Sequence, residues 1–501
     1  MPAPFVDEVF TFIQPDATTI RLRGTGNQYA ARFETLDGLP VVRDPVSGFY
    51  HLAQLSPDGR RLAPGGIRPG SVSMDVAKSI PWLNAAVEAP EVFAVASGLE
   101  QGTSRWERRR QERRAAIDLL AANPGLHFAP PQRTTVGTFV GLTLLVEFPD
   151  VPATISRDEV EAFCNQAGYS GFGNAGSVHD YYADVSAGRL DYSNVVAPWF
   201  TAKHDRDYYT NEKVAQPVRA RELIDEAIAH FKLAGFDFSA LTADDKHYVY
   251  ALNVFYAGER VNGWAKGLWP HSFHLDRPVE LAPGRLAFDY QVTNMGRELT
   301  LGTFCHENGH MICDFPDLYD YGSESFGLGV FCLMCGGGGG AFEKNPAQVG
   351  AYLKNAAGWG GGLTPIVPGI TITLDAASND FAILRKSSTE YFILENRVAQ
   401  GRDAGLPGGG LAIWHVDEAG DNSNEQMTAA QHYECALVQA DGRTDLERKR
   451  NQGQAADLFH AGGTSSLDGG NPANRWWDGS ASGLTLSGIG AIGQQTSFTV
   501  A

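Results

Sequence analysis

The chain has 501 residues, with 40 Lys and Arg against 58 Asp and Glu, giving a formal net charge of −18. That balance argues against nucleic acid as a partner, because phosphate binding rests on neutralisation by Lys and Arg. The length suits about two to four domains; 43% apolar content supplies their cores, and no run long enough to span a membrane is visible.

Residues 1–16 (MPAPFVDEVFTFIQPD) carry neither a basic n-region nor an apolar h-region, so no signal peptide is visible. Residues 1 to about 90 read as β-rich, with alternating runs such as 19–23 (TIRLR) and turn signals at Asp37-Gly38 and Asp58-Gly59. Residues 105–122 (RWERRRQERRAAIDLLAA) predict a helix with a basic first half. It reads either as a solvated linker or as an element laid against an acidic domain. Ala129-Pro130-Pro131 marks a boundary. Residues 138–148 (TFVGLTLLVEF) and 248–256 (YVYALNVFY) have the continuous apolar character of buried strands. Between them, Ser177 and Asp180 form the capping signal of one helix, and 221–233 (RELIDEAIAHFKL) reads as a second, amphipathic one. His271 lies in an apolar run, where a structural role is the ordinary reading.

The chemistry concentrates in residues 301–321 (LGTFCHENGHMICDFPDLYDY), which contain His306-Glu307-Asn308-Gly309-His310. On a helix, residues four apart share a face, so both imidazoles can reach one cation, with Glu307 beside them. Leu299, Leu301 and Phe304 give the helix a buried side, and Phe315-Pro316 ends it. Two histidines and one oxygen ligand leave Zn²⁺ an open position, as a catalytic site requires. Such a metal lowers the pKa of its water to about 7, and Glu307 is the expected base for that proton. A surface helix with two idle histidines is the alternative.

Five glycines, 336–340, follow and read as a mobile lip, since the phosphate-loop ending is missing. Residues 346–359 predict a further helix. From about 363 the pattern changes to short strands with frequent turns, as in an antiparallel β-sandwich. Within it, Asp441, Asp445, Asn451 and Asp457 offer hard oxygen ligands that suit Ca²⁺, or ordinary turn chemistry. Of six cysteines, Cys305, Cys313, Cys332 and Cys335 cluster near the histidines, as free thiols, a local disulfide or half of a second metal site.

Residues 315–320 (FPDLYD) and 330–336 (VFCLMCG), after the histidine motif, resemble the immune inhibitor A family of bacterial zinc metalloproteases. So do 142–149 (LTLLVEFP), 176–190 (GSVHDYYADVSAGRL), 390–397 (EYFILENR), 410–418 (GLAIWHVDE), 436–446 (ALVQADGRTDL) and 451–459 (NQGQAADLF). The likeness runs from about residue 136 to the end and is looser before it. It implies an α+β chain with a zincin/metzincin-like catalytic domain at 135–362. An N-terminal prosegment-like region at 1–134 and a C-terminal antiparallel β-sandwich at 363–501 flank it. It further implies Met334 as the Met-turn residue, a latent zymogen, and a cleft near His271, which could then touch substrate. Family members are usually exported, so secretion is the expectation despite the missing signal peptide. The family has Gly three and Asp six residues after the second histidine; here those places hold Cys313 and Pro316. A one-residue insertion moves the acid to Asp317, the first choice as third ligand ahead of Asp320 and Glu324. The expected activity is a monomeric zinc endopeptidase acting on proteins or peptides. A metal-retaining adhesion protein and a zinc hydrolase of non-protein amides are the alternatives.

Overall fold

The computed structural model describes residues 4–90, 92–96, 103–122, 134–322, 324–422, 427–470 and 474–501. It is a mixed α+β chain with several sheets. The Ala129-Pro130-Pro131 boundary lies outside the described residues. By compactness the chain forms two units, each of separated segments. Unit 1 is Met1–Gly102, Leu142–Arg157 and Val196–Glu298; unit 2 is Thr103–Gly141, Asp158–Val195 and Leu299–Ala501. This division is of another kind from the consecutive regions read along the sequence.

In unit 1, the strands Phe5–Ile13, Thr19–Gly26, Ala30–Thr35, Pro40–Arg43, Tyr50–Leu55 and Leu62–Pro64 form an antiparallel meander, with Ala94–Val95 added to the third. The period-2 alternation of the first strand buries Phe10 and Phe12 and exposes Val9 and Ile13. Phe10, Phe12, Phe33, Tyr50 and Trp269 share one core. Burying each such ring is worth roughly 1.5–3 kcal/mol. Most of a five-stranded sheet also belongs here, ordered His271–Ala282, Arg285–Asn294, Leu252–Tyr256, Gly137–Glu147, Leu190–Thr201. Its centre, Leu252–Tyr256, is buried at every residue and parallel to both neighbours, which accounts for its apolar composition. The amphipathic helix covers Gln216–Leu233 and buries Leu223, Ile224, Ala227, Ile228 and Phe231.

In unit 2, helix Val178–Val185 opens on a reciprocal capping box between Ser177 and Asp180, as the sequence indicates. The histidine helix is Leu301–Cys313, and every residue in it except Thr303 is buried. It starts later than the spacing of Leu299 suggested, with Thr300 as N-cap, and ends at Asp314 in the left-handed conformation, two residues before Pro316. The predicted helix at 346–359 shortens to Ala351–Ala356.

Two sheets share the C-terminal core, which contains Ile372, Leu374, Phe392, Leu394, Ile413 and Phe498. One has the order Gly362–Pro365, Asp380–Arg385, Glu390–Arg397, Gly410–Asp417, Cys435–Leu437; the other has Thr371–Asp375, Gln495–Val500, Leu486–Ser487. The pairing is antiparallel except between Gly362–Pro365 and Asp380–Arg385, which are parallel. The intervening strand Thr371–Asp375 joins the other sheet, so the chain crosses over and returns in the same direction.

Candidate metal centre

The helical period places His306 and His310 on one face, rings 4.8 Å apart and nearly perpendicular. Each is fixed from behind by the main chain: His306 Nδ1 lies 3.0 Å from Leu333 O, and His310 Nδ1 lies 2.6 Å from Phe315 O. A carbonyl only accepts, so each Nδ1–H donates and each Nε2 keeps its lone pair for the centre. The two Nε2 atoms are 3.1 Å apart. Asp317 Oδ1 lies 2.9 Å from one and 3.2 Å from the other. Tetrahedral ligands at about 2.0–2.1 Å from zinc stand about 3.3 Å from each other. These three atoms therefore have the mutual spacing of a metal's ligands.

Asp317 is completely buried. Its Oδ2 accepts from Tyr321 Oη at 3.1 Å, its carbonyl accepts from Asn422 Nδ2 at 2.7 Å, and its Oδ1 has no hydrogen bond. Burial opposes its charge, but His310 and His306 hold it well below the usual carboxylate range. Burial likewise opposes a charge on His306, yet Asp317 outweighs it and keeps the pKa above the ordinary value. An anion and two nitrogen lone pairs converging in a buried pocket suit a cation. His306, Glu307 and His310 form a buried group whose ligand atoms all lie within 4.8 Å of one another, and that group can hold a metal ion. Asp317 Oδ1 is nearer still to both nitrogens.

The rival acids are placed elsewhere. Asp320 spends its carboxylate on the amides of Gly322, Glu324 and Ser325, at 2.7, 2.9 and 2.8 Å, while Glu324 is exposed. Met334 is fully buried, and a Cβ at Gly309 would come within 3.0 Å of its Sδ. The small residue inside the motif is thus what allows Met334 to pack against the histidine helix. The glycine run is no mobile lip. Gly337 and Gly338 are buried, and a Cβ on Gly302 would stand 1.8 Å from Gly338 O, so close backbone packing against the helix explains the absence of side chains.

His271, in unit 1, is buried between Trp269 O at 2.7 Å and Tyr290 Oη at 3.2 Å, and burial lowers its pKa to about 4. A neutral histidine so enclosed offers a substrate no surface, which is the structural reading. All six cysteines are buried free thiols.

The four candidate calcium residues do gather. Gln454 Nε2 donates to Asp441 Oδ2 at 2.8 Å and Asp445 Oδ2 at 3.3 Å, and Asn451 Nδ2 donates to Asp445 at 3.3 Å. Asp457 is fully buried; Oδ2 accepts from Gln454 N, whereas Oδ1 has no partner. Burial first, then Asp441 and Asp445, push its pKa to about 6.

Sequence reasoning did not find Tyr321 or Trp106. Trp106 stacks on the His310 ring, centroids 4.5 Å apart and planes at 17°. Its helix, Arg105–Ala122, is not the solvated linker of the first alternative. Arg109 binds Asp314 with two nitrogens, Arg110 donates to Glu434 at 2.7 Å, and Arg113 pairs with Glu418. The signal was the Trp among arginines at helical spacing, but their partners lie hundreds of residues away in sequence.

No family model matches the chain, and no curated protein matches it. The resemblance to the immune inhibitor A family accordingly rests on the motifs themselves. Among the described residues, no helix is long and apolar enough to cross a membrane.

Proposed function

We propose that the chain is a zinc-dependent endopeptidase of the immune inhibitor A type, with His306, His310 and Asp317 as metal ligands and Glu307 as general base. The observation that carries this reading is the convergence of His306 Nε2, His310 Nε2 and the unsatisfied Asp317 Oδ1 at 2.9–3.2 Å. A divalent zinc there supplies Lewis-acid polarisation of a carbonyl and acidification of a water. Leu333 O and Phe315 O hold the imidazole tautomers, and Tyr321 steers Asp317 so that Oδ1 faces the centre. Glu307, adjacent to His306 and 2% exposed, takes the proton of the attacking water on its carboxylate and returns it to the leaving amine. Met334 contributes an apolar floor and no proton chemistry.

An intact base beside the ligands favours an enzyme over an adhesion protein, since binding needs no Glu307. Calcium at Asp441, Asp445 and Asp457 is a second, structural cofactor reading, supported by the unpaired buried Oδ1 of Asp457. It requires the Gln454 amide to turn and present its oxygen.

The reading is tested by metal analysis together with peptide hydrolysis. One zinc per chain is expected, lost in His306→Ala, with cleavage that depends on Glu307. A loaded chain that hydrolyses simple amides but no peptide would favour the amide-hydrolase alternative.

A further inference from the structure

The first turns of helix Arg105–Ala122 present Trp106, Arg109, Arg110 and Arg113 at spacings of three and four, hence on one face. All four meet groups of the same unit. The indole covers the His310 ring, and the three guanidinium groups meet Asp314, Glu434 and Glu418. Tyr321, which binds Asp317, feels Arg110 and Glu107 of this helix. The helix face therefore reaches the candidate metal centre through Trp106, while its arginines hold Asp314, Glu434 and Glu418.

The acidic wall is built to hold cations. The side chains of Glu434 and Glu418 are only 4% and 6% exposed. A phenol occupies one oxygen of each, Tyr352 on Glu434 Oε1 and Tyr391 on Glu418 Oε1, while the second oxygen meets arginine. Burial raises the pKa of Glu418 even with Arg113 beside it. With the helix gone, two adjacent buried carboxylates would face each other without counter-charge, a costly state that another guanidinium relieves. Planar, forked guanidinium matches carboxylate better than the point charge of lysine.

We infer that the wall formed by Asp314, Glu418 and Glu434 is an arginine-recognition surface of the active site. The helix face Trp106/Arg109/Arg110/Arg113 occupies it as an internal mimic of the substrates, which are peptide segments bearing clustered arginines. The inference rests on the peptidase reading for the word substrate, but the binding surface stands without it. The tethered helix competes at an effective concentration in the millimolar range, so an external peptide binds well only where the helix is displaced.

The test uses the full chain carrying Glu307→Ala with Trp106→Ala, Arg109→Ala, Arg110→Ala and Arg113→Ala. The probe is a labelled synthetic peptide of residues 104–116, followed by fluorescence anisotropy. Expected are saturable binding, and weakening of at least about tenfold on adding Glu418→Gln and Glu434→Gln or on replacing the peptide's arginines by lysine. Equal binding after either change overturns the inference. Should the helix-face variant not fold, the unaltered chain serves. Millimolar peptide should speed amide exchange across residues 105–122, and its arginine-free analogue should not; identical exchange with both overturns the proposal. Proteolysis is scored separately. If the opened chain cleaves a peptide mixture without preference for arginine clusters, this inference fails and the peptidase reading survives. If the peptide binds as predicted but nothing is cut, the peptidase reading fails and the recognition surface survives.

Discussion

The indole of Trp106 lies nearly parallel to the imidazole of His310, 4.5 Å away, so a residue from outside the His306-to-His310 motif covers one of its two histidines. Aromatic stacking of this kind is worth about 0.5–1.5 kcal/mol beyond the area buried. Trp106→Ala should therefore shift the helix toward release and raise peptide cleavage by the zinc-loaded chain about tenfold. Initial rates on a quenched fluorescent peptide check this. Unchanged rates would mean that the helix does not limit access.

Ligand identity is tested by contrast between two acids three residues apart. Asp317→Asn should lower zinc affinity by about a hundredfold or more, and Tyr321→Phe by about tenfold, through loss of the hydrogen bond to Oδ2. Asp320→Asn should keep its zinc, since that carboxylate is spent on three amides. Chelator competition with metal analysis measures all three.

The two glycines of the histidine helix should respond differently to alanine. At Gly309 the new Cβ meets the flexible Met334 side chain at 3.0 Å, so overpacking should cost about 1–3 kcal/mol, partly offset by helix propensity. At Gly302 it meets a main-chain oxygen at 1.8 Å, which cannot swing aside. Gly302→Ala should fail to fold, while Gly309→Ala should give a folded chain with a lowered denaturation midpoint. Thermal and denaturant unfolding distinguish the two.

Much of this was legible in the sequence where the cause is local. The i, i+4 spacing put both histidines on one face and the proline bounded their helix, whereas Asp317 was indicated only by the resemblance to the family's pattern, offset by one residue. Ser177 and Asp180 announced their cap, and the apolar stretch at 248–256 announced a buried strand, which the structure places at Leu252–Tyr256. What stayed hidden is long-range. Nothing near Arg110 or Arg113 names Glu434 or Glu418, more than 300 residues later. The glycine run looked mobile because loss of side chains reads alike whether the backbone is free or closely packed. The parallel pair in the C-terminal sheet escaped because a strand that changes sheets has the same alternation as one that stays.

The cluster around Asp457 gives a pH signature. Its folded pKa of about 6 exceeds the unfolded value of about 3.9, so the fold favours the neutral acid. Its contribution is fully present below pH about 4 and is lost as pH rises through about 6. Without divalent ions, stability should fall over that window. Millimolar calcium should then restore it, raising the melting temperature at pH 7 by several degrees and much less at pH 4.5. Asp457→Asn should abolish both the pH slope and the calcium response. A calcium effect equal at the two pH values would count against the site.

Peptide hydrolysis at the proposed centre of His306, His310 and Asp317 can be read directly. Its most direct test is digestion of a diverse peptide mixture, read by mass spectrometry, by the zinc-loaded Trp106→Ala chain with and without Glu307→Ala. Internal cleavage is expected from the first and a loss of at least about a hundredfold in the second. One zinc bound per chain with no cleavage by either, or equal cleavage by both, would contradict it.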